Sequence, residues 1–309
     1  MLRYVAGRLL WLPLLLLITS AITFLLGVYG PGDPVVTRLG ARARPDAVAR
    51  LREEMGLNRP VIVQYLDYIA KAARLDFGTS TRYQNQPVAK LISERIWVTV
   101  QVSALALLFS LLVGIPLGIL AALTAGHWPD RLSVSAALLF NSVPAFVAIP
   151  LLLAILVRGL HLLPPPGWNG ILSTRIILPI FVLGMGPVAG LARQTRASML
   201  EVLPQDYIRT ARAKGLRENS VILRHALKYA LIPLVTVIAL LIGALPEGAF
   251  ITENLLGVPG VGQLGFDALF ARDYPIIMAL TLIGAVSFTL ANLLADVAYG
   301  LLDPRIRYK

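Results

Sequence analysis

Six apolar stretches punctuate this chain, at 9–29, 97–123, 132–157, 176–191, 231–251 and 276–302. Most reach the roughly 20 residues that an α-helix needs to cross about 30 Å of hydrocarbon. Inside a bilayer, only a segment that satisfies its own backbone hydrogen bonds can span. The pattern predicts an all-α polytopic membrane protein with six transmembrane helices. With 57% of 309 residues apolar and only 15% charged, a soluble α/β domain is excluded. The net charge of +11 is read as topology, not as affinity for nucleic acid. The basic residues gather beside the stretches, and no DNA- or RNA-binding motif accompanies them. There is no cysteine, and His127, His161 and His225 lack ligand spacing. Neither a metal nor a cofactor is expected on this chain.

The first stretch follows Arg3 and Arg8 and is read as an uncleaved helix, 1–29, with its N-terminus in the cytoplasm. A signal peptide is the competing reading. Its apolar core would be about 7–15 residues, with a small-residue cleavage site after it; here Gly30-Pro31-Gly32-Asp33-Pro34 follows. Residues 30–96 hold eleven Lys/Arg and seven acids and are expected to form a small helical extracytoplasmic domain. Within it, Pro45 opens a short helix carrying Val48, Leu51 and Met55, stopped by Gly56, and Pro60 opens another with Val61, Tyr65, Ile69 and Ala72 in register. Residues 97–303 then form a five-helix core, and 304–309 a cytoplasmic tail. Six spans put both termini on one side. Cytoplasmic segments then carry fourteen Lys/Arg, against Arg158, Arg175 and Arg272 in the two short external loops. That asymmetry sets the orientation.

The fourth stretch contains Pro179, Gly184, Gly186, Pro187 and Gly190. It is predicted to be bent or partly unwound, with close helix packing as the other reading of its glycines. The spans hold two carboxylates, Glu247 and Asp296, and no histidine. No protease or zinc-enzyme arrangement is present, so no catalytic residue is expected. A charge at membrane depth costs about 2.5–3.5 kcal/mol on insertion scales, so each carboxylate has to be explained. With Gln101, Asn141 and Asn292 they are candidates for lining a translocation cavity; interhelical hydrogen bonding, or water at a span end, is the plainer alternative.

The segment 193–230 is the long polar interruption of the second half. From Arg193 to Pro233, eight Lys/Arg face three acids, yet apolar residues recur at helical spacing. Asp206 is expected to cap a short helix over 207–214, and Gly215 suits a left-handed stop. Thr210, Ala211 and Ala213 leave a slim ridge that can enter a partner's groove, with Tyr207, Arg209, Arg212, Lys214 and Leu216 around it. A basic helix lying on lipid headgroups would need more apolar anchors than Tyr207 and Ile208. No GxxxxGK[ST] occurs anywhere, so a chain with this docking ridge must draw its energy from another subunit. An ion-driven secondary transporter is the alternative of another class, but it predicts inverted repeats and paired buried ionisable groups, and neither is evident. A non-transporting scaffold would leave the ridge unexplained.

The run QDYIRTARAKGL followed by HALKYALIP resembles the EAA loop of ABC-importer permeases. PGDP, LDFGTS, GIPLGILAAL, SVPAF, LPPPGW, LGVPGVGQLG, RDYP and ANLLADVAYGLLDPRIR, in this order, resemble the B-type permease subunit of the dipeptide/oligopeptide/nickel branch. The resemblance covers the whole chain. It implies the type I importer transmembrane fold, a second homologous permease and two cytoplasmic ATPase subunits that use ATP and Mg. It also implies an extracytoplasmic binding protein delivering small peptides, with nickel complexes or oligosaccharides as the cargo of close relatives. The coupling helix would be carried by 209–216, with Gly215 at the family's loop glycine. Arg209-Thr210-Ala211 stands where Glu-Ala-Ala would be. The outer domain and the loop 257–265 would meet the binding protein or the partner permease.

Overall fold

The computed structural model describes residues 2–30, 34–39, 43–54, 56–83, 85–246 and 249–302, without side chains at 2–12, 34, 37–38, 134, 137–138, 140–141 and 296–302. Helices account for most of it, and among the described residues the one β-type pairing is the isolated bridge Thr79–Pro87. The N-terminal stretch is α1 (Leu2–Tyr29), followed by α2 (Pro34–Leu39), α3 (Pro45–Glu54) and α4 (Val61–Ala72). The two expected starts at Pro45 and Pro60 are observed, and Gly56 adopts the left-handed φ of 68° that ends α3. Met55 lies outside the described residues.

The second stretch lies in α5 (Val88–Leu123), a single helix of 36 residues. The third is broken: α6 (Trp128–Ser142) stops before Pro144, α7 (Ala145–Leu152) restarts after it, and a π-helical turn runs over Leu153–Gly159. Proline explains the break, because it pushes the preceding residue out of the helical region, and Val143 sits at φ −96°, ψ 115°. The fourth stretch departs from expectation. It is neither short nor unwound, but part of a continuous α8 (Ile177–Val202) that carries Pro187 within it and absorbs Arg193–Val202 from the polar segment. Its glycines serve packing: a Cβ at Gly184 would lie 2.5 Å from the Phe109 ring, and the Ser110 hydroxyl donates to the Gly184 carbonyl at 3.0 Å.

Beyond α8 come α9 (Asp206–Ala213), α10 (Glu218–Ser220), a π-helical turn over Val221–Ala226, α11 (Leu227–Ala230) and α12 (Ile232–Gly243). The fifth stretch is also shorter than predicted. It bends by 62° where α11 meets α12, at the proline pair-breaker Pro233, and ends at Gly243 instead of continuing to Ile251. The chain then forms α13 (Phe250–Leu255), α14 (Val261–Ala271) and α15 (Tyr274–Leu302). Among the described residues, three helices can each cross a bilayer by length and composition, and the bent pair makes a fourth. The principal packing is α5 on α8, then α12 and α1 on α15. Between α5 and α8 the approach is close: a Cβ at Gly114 would lie 2.9 Å from the Val188 carbonyl oxygen, and one at Gly118 2.5 Å from that of Ala192. This is the small-xxx-small packing that lipid-embedded helices use.

Candidate coupling surface and membrane path

The helix α9 is built as a short rod clamped to its own chain along one side. Ile208 and Ala211, 0% and 6% exposed, enter a cluster with Met199, Val221, Ile222 and Ala226. Tyr207 stacks tilted on Tyr229 with centroids 5.1 Å apart. At the far end, Gly215 has a φ of 75°. Its N–H donates to the Arg212 carbonyl, and the Leu216 N–H reaches back to that of Ala211, a Schellman stop. The expected cap is corrected: Gln205 occupies the cap position without a side-chain bond, and Asp206 is the first helical residue. Its carboxylate is open to solvent and lies 3.7 Å from Arg209, on the terminus where a negative charge suits the helix dipole.

The ridge is therefore narrower than the sequence suggests. Ala211 faces inward, while Arg209, Thr210, Arg212, Ala213, Lys214, Gly215 and Leu216 face out. Arg212 is engaged within the chain, donating to Glu218 at 2.7 Å. That contact holds the Glu218 carboxyl below its ordinary range and raises the guanidinium. Arg209, with 72% of its side chain exposed, and Lys214 are open to solvent.

A small recess of about 160 Å³ lies between α5, α8 and α12, lined by Ser103, Leu107, Leu183, Pro187, Leu241 and Leu245 among others. The proline that the sequence reading tied to a bend thus borders this recess without breaking its helix. Gln101 is exposed and Asn292 half-buried, and neither lines it. Glu247, and the side chains of Asn141 and Asp296, fall outside the described residues.

Three polar clusters escaped the sequence reading. Asp130, in the first turn of α6, receives Arg196 of α8 at 2.5 and 2.8 Å and the Gly126 N–H at 2.9 Å. These bonds hold its carboxyl down to about 2. Because the folded value is depressed from 3.8, the stabilisation is present at neutral pH and is lost as pH falls toward 2. We expect Asp130→Asn to lower the thermal stability of the detergent-solubilised chain at pH 7. The gap from wild type should stay constant down to about pH 4 and close below it, as light-scattering melts across pH would read.

Glu253 is 2% exposed and accepts from the Thr99 hydroxyl at 2.9 Å and the Gln263 N–H at 3.1 Å. Thr99 in turn accepts from the Val261 N–H at 2.8 Å. The carboxylate thus caps α14 from a distance and ties it to α5. Asp273, fully buried, accepts from Ser80 at 2.5 Å and from the Arg82 N–H at 3.1 Å. It anchors the segment that precedes α5 beside α15. The glycines of LGVPGVGQLG were the available signal for Glu253: a Cβ at Gly262 would lie 2.9 Å from its carboxylate.

Comparison with known proteins places this geometry in a lineage. Residues 114–308 match the family described as binding-protein-dependent transport system inner membrane component, and residues 1–103 match its N-terminal counterpart. The chain is 39% identical over 309 residues, all of both chains, to the glutathione transport system permease protein GsiC of Salmonella typhimurium. It is equally similar to GsiC of Escherichia coli K12, again over all of both chains. Two inward-facing structures of the MetNI methionine ABC transporter share the fold at TM-scores of 0.52 and 0.55 and 17% and 18% identity, each covering 69% of this chain and 96% of the other. A helical membrane core and a match over the full chain have one reading: the chain belongs to the binding-protein-dependent inner membrane components and is a permease subunit of an ABC importer.

Proposed function

We propose that the permease passes small peptides of the glutathione class across the membrane, delivered by an extracytoplasmic binding protein. The observation that carries this reading is the 39% identity, without gaps in coverage, to glutathione permeases. A second homologous permease completes the pathway, and two cytoplasmic ATPase subunits supply the energy. ATP and Mg belong to those subunits; this chain binds no cofactor and performs no catalysis. Both termini face the cytoplasm, residues 30–96 the outside, and 193–230 the ATPases. The exposed side of α9, with Arg209 and Lys214 at its centre, enters the ATPase groove. Differential docking in the two nucleotide states then shifts the bundle between access states, since only a difference in binding free energy can move that equilibrium. Gln101, Asn141, Glu247, Asn292 and Asp296 are the polar groups we assign to the path.

The test is uptake of labelled glutathione by proteoliposomes holding the complete importer. Arg209→Glu with Lys214→Glu should lower uptake and ATPase co-purification by about tenfold or more, because a reversed charge opposes a complementary site. Undiminished uptake with both charges reversed would overturn the docking face. Uptake driven by an ion gradient without any ATPase would overturn the function.

A further inference from the structure

At the end of the third apolar stretch the backbone widens into the π-helical turn Leu153–Gly159. The Leu160 N–H donates five residues back, to the Ile155 carbonyl at 2.8 Å, and the Leu162 N–H to that of Leu156 at 2.9 Å. Such turns are rare and recur at functional sites. The loop that follows carries Pro164, Pro165 and Pro166, which fix their own φ and offer no N–H. Across from it α13 ends at Gly257, where a φ of 64° turns the chain away. The two walls are locked to each other. Ile149 of α7 and Leu256 and Val258 beyond α13 are at most 1% exposed. They share one cluster, against which Leu153 and Val157 of the π turn also pack.

Between these walls lies a cavity of about 670 Å³, bordered by Pro165, Leu255, Arg158 and Asn254 among others. That volume falls within the roughly 300–1,000 Å³ of small-molecule sites. Arg158 and Asn254 are its polar side chains, and neither has a side-chain partner among the described residues. No acid occurs in the sequence between Asp130 and Glu201. The carboxylate next to Asn254, that of Glu253, is taken up by Thr99 and the Gln263 N–H. A guanidinium is a planar fork that meets a carboxylate with two parallel bonds, and a side-chain amide can donate a third. Arg158 stands one residue past the third apolar stretch and Asn254 three past the fifth. Successive odd-numbered spans run in the same direction, so the cavity sits at one end of the bundle, the outer end in the orientation proposed above. We propose that Arg158 and Asn254 form a receiving subsite for a carboxylate of the transported peptide, whose apolar parts lie against Pro165 and Leu255. This rests on the peptide-importer reading and adds to it the groups of this chain that recognise the cargo.

The chain has no native cysteine, so the cavity can be addressed singly. A Leu255→Cys variant carries a bimane label in the importer, whose other subunits are made cysteine-free, in phosphatidylcholine nanodiscs. It is titrated with glutathione and with glutathione diethyl ester, in which both carboxylates are masked. A saturable fluorescence change is expected with the free acid, at a concentration about tenfold or more below that for the diester, as loss of a charge-assisted bond implies. Arg158→Gln should weaken the free acid by about the same factor and leave the diester unchanged. Arg158 is exposed, so this change does not disturb the core. Arg158→Lys, which keeps the charge without the fork, should fall between. Equal affinity for acid and diester in the wild type, or an unchanged acid titration in Arg158→Gln, would overturn the subsite. So would a fluorescence change that follows phosphatidylglycerol added to the discs and ignores the peptide, which would give Arg158 to a lipid phosphate. The peptide-importer reading is scored separately, by glutathione uptake with the binding protein present. Uptake by the wild type with no response at position 255 would overturn the subsite alone, and absence of uptake would overturn both.

Discussion

Replacing Gly118 by valine is expected to drive α5 away from α8 and to destabilise the permease by about 3 kcal/mol, at the upper end of what overpacking a close-packed interface costs. A Cβ there would already stand 2.5 Å from both the Ala192 carbonyl oxygen and the Thr195 Cβ. The first of these is backbone and cannot swing aside. The two added methyl groups would have to enter a seam whose other members, Leu191, Ala192 and Thr195, are at most 7% exposed. Without a hydrophobic force between helices in lipid, this association depends on van der Waals contact and on the Ser110–Gly184 bond, both of which fall off with separation. A thermal melt of the purified chain in detergent should shift by on the order of 5 °C. Gly190→Ala on the facing helix α8 is the control. A Cβ at that position meets nothing within 4 Å, and alanine in a helix interior stabilises by about 0.5–1 kcal/mol over glycine. If the two variants melt alike, close approach is not what holds α5 to α8.

The same pair of helices shows what could be read in advance. Fold class was legible because it follows from segment length and apolarity alone, and no tertiary contact can reverse it. Glycine and proline in 176–191 were ambiguous. They permit a bend, but they also permit close approach, and the choice is made by Phe109 and Ser110 on a helix about seventy residues away. For α9, spacing gave the helix and Gly215 gave its end. Spacing could not say which side was free, because Ile208 and Ala211 find their partners in Met199 and in 221–226. The helix α4 has the same limit. Its periodicity shows a face, whereas the hydrogen bond from Tyr65 to Leu17 shows which side of it meets α1. Glu253 was missed for a related reason. It lies two residues beyond the fifth apolar run, in a segment whose burial arises only when α13, α14 and α5 meet.

That carboxylate should carry the second large effect. Glu253→Ala removes the acceptor for the Thr99 hydroxyl and for the Gln263 N–H, both in a site from which water is excluded. Buried donors left without a partner cost about 1–3 kcal/mol each, and α14 also loses the negative charge at its N-terminus. The substitution is expected to loosen α14 from α5, and with it Asp267 and Asp273, which hold Tyr83 and Ser80 of the segment that precedes α5. Glu253→Gln should be intermediate, and for a specific reason. Its carbonyl can replace one carboxylate oxygen, but its amide N–H group must then point at a backbone N–H, of Gln263 or of Ala249. Hydrogen exchange on the complete importer separates this anchoring from general damage. Amides at the start of α14 should exchange at least about tenfold faster in Glu253→Ala, while those of α9 and of the α5–α8 seam keep their protection. Uptake should fall in the order wild type, Glu253→Gln, Glu253→Ala. Uniform loss of protection across the chain would make Glu253 an ordinary core residue, and unchanged exchange at 261–263 would show that the cap from α13 does not hold α14.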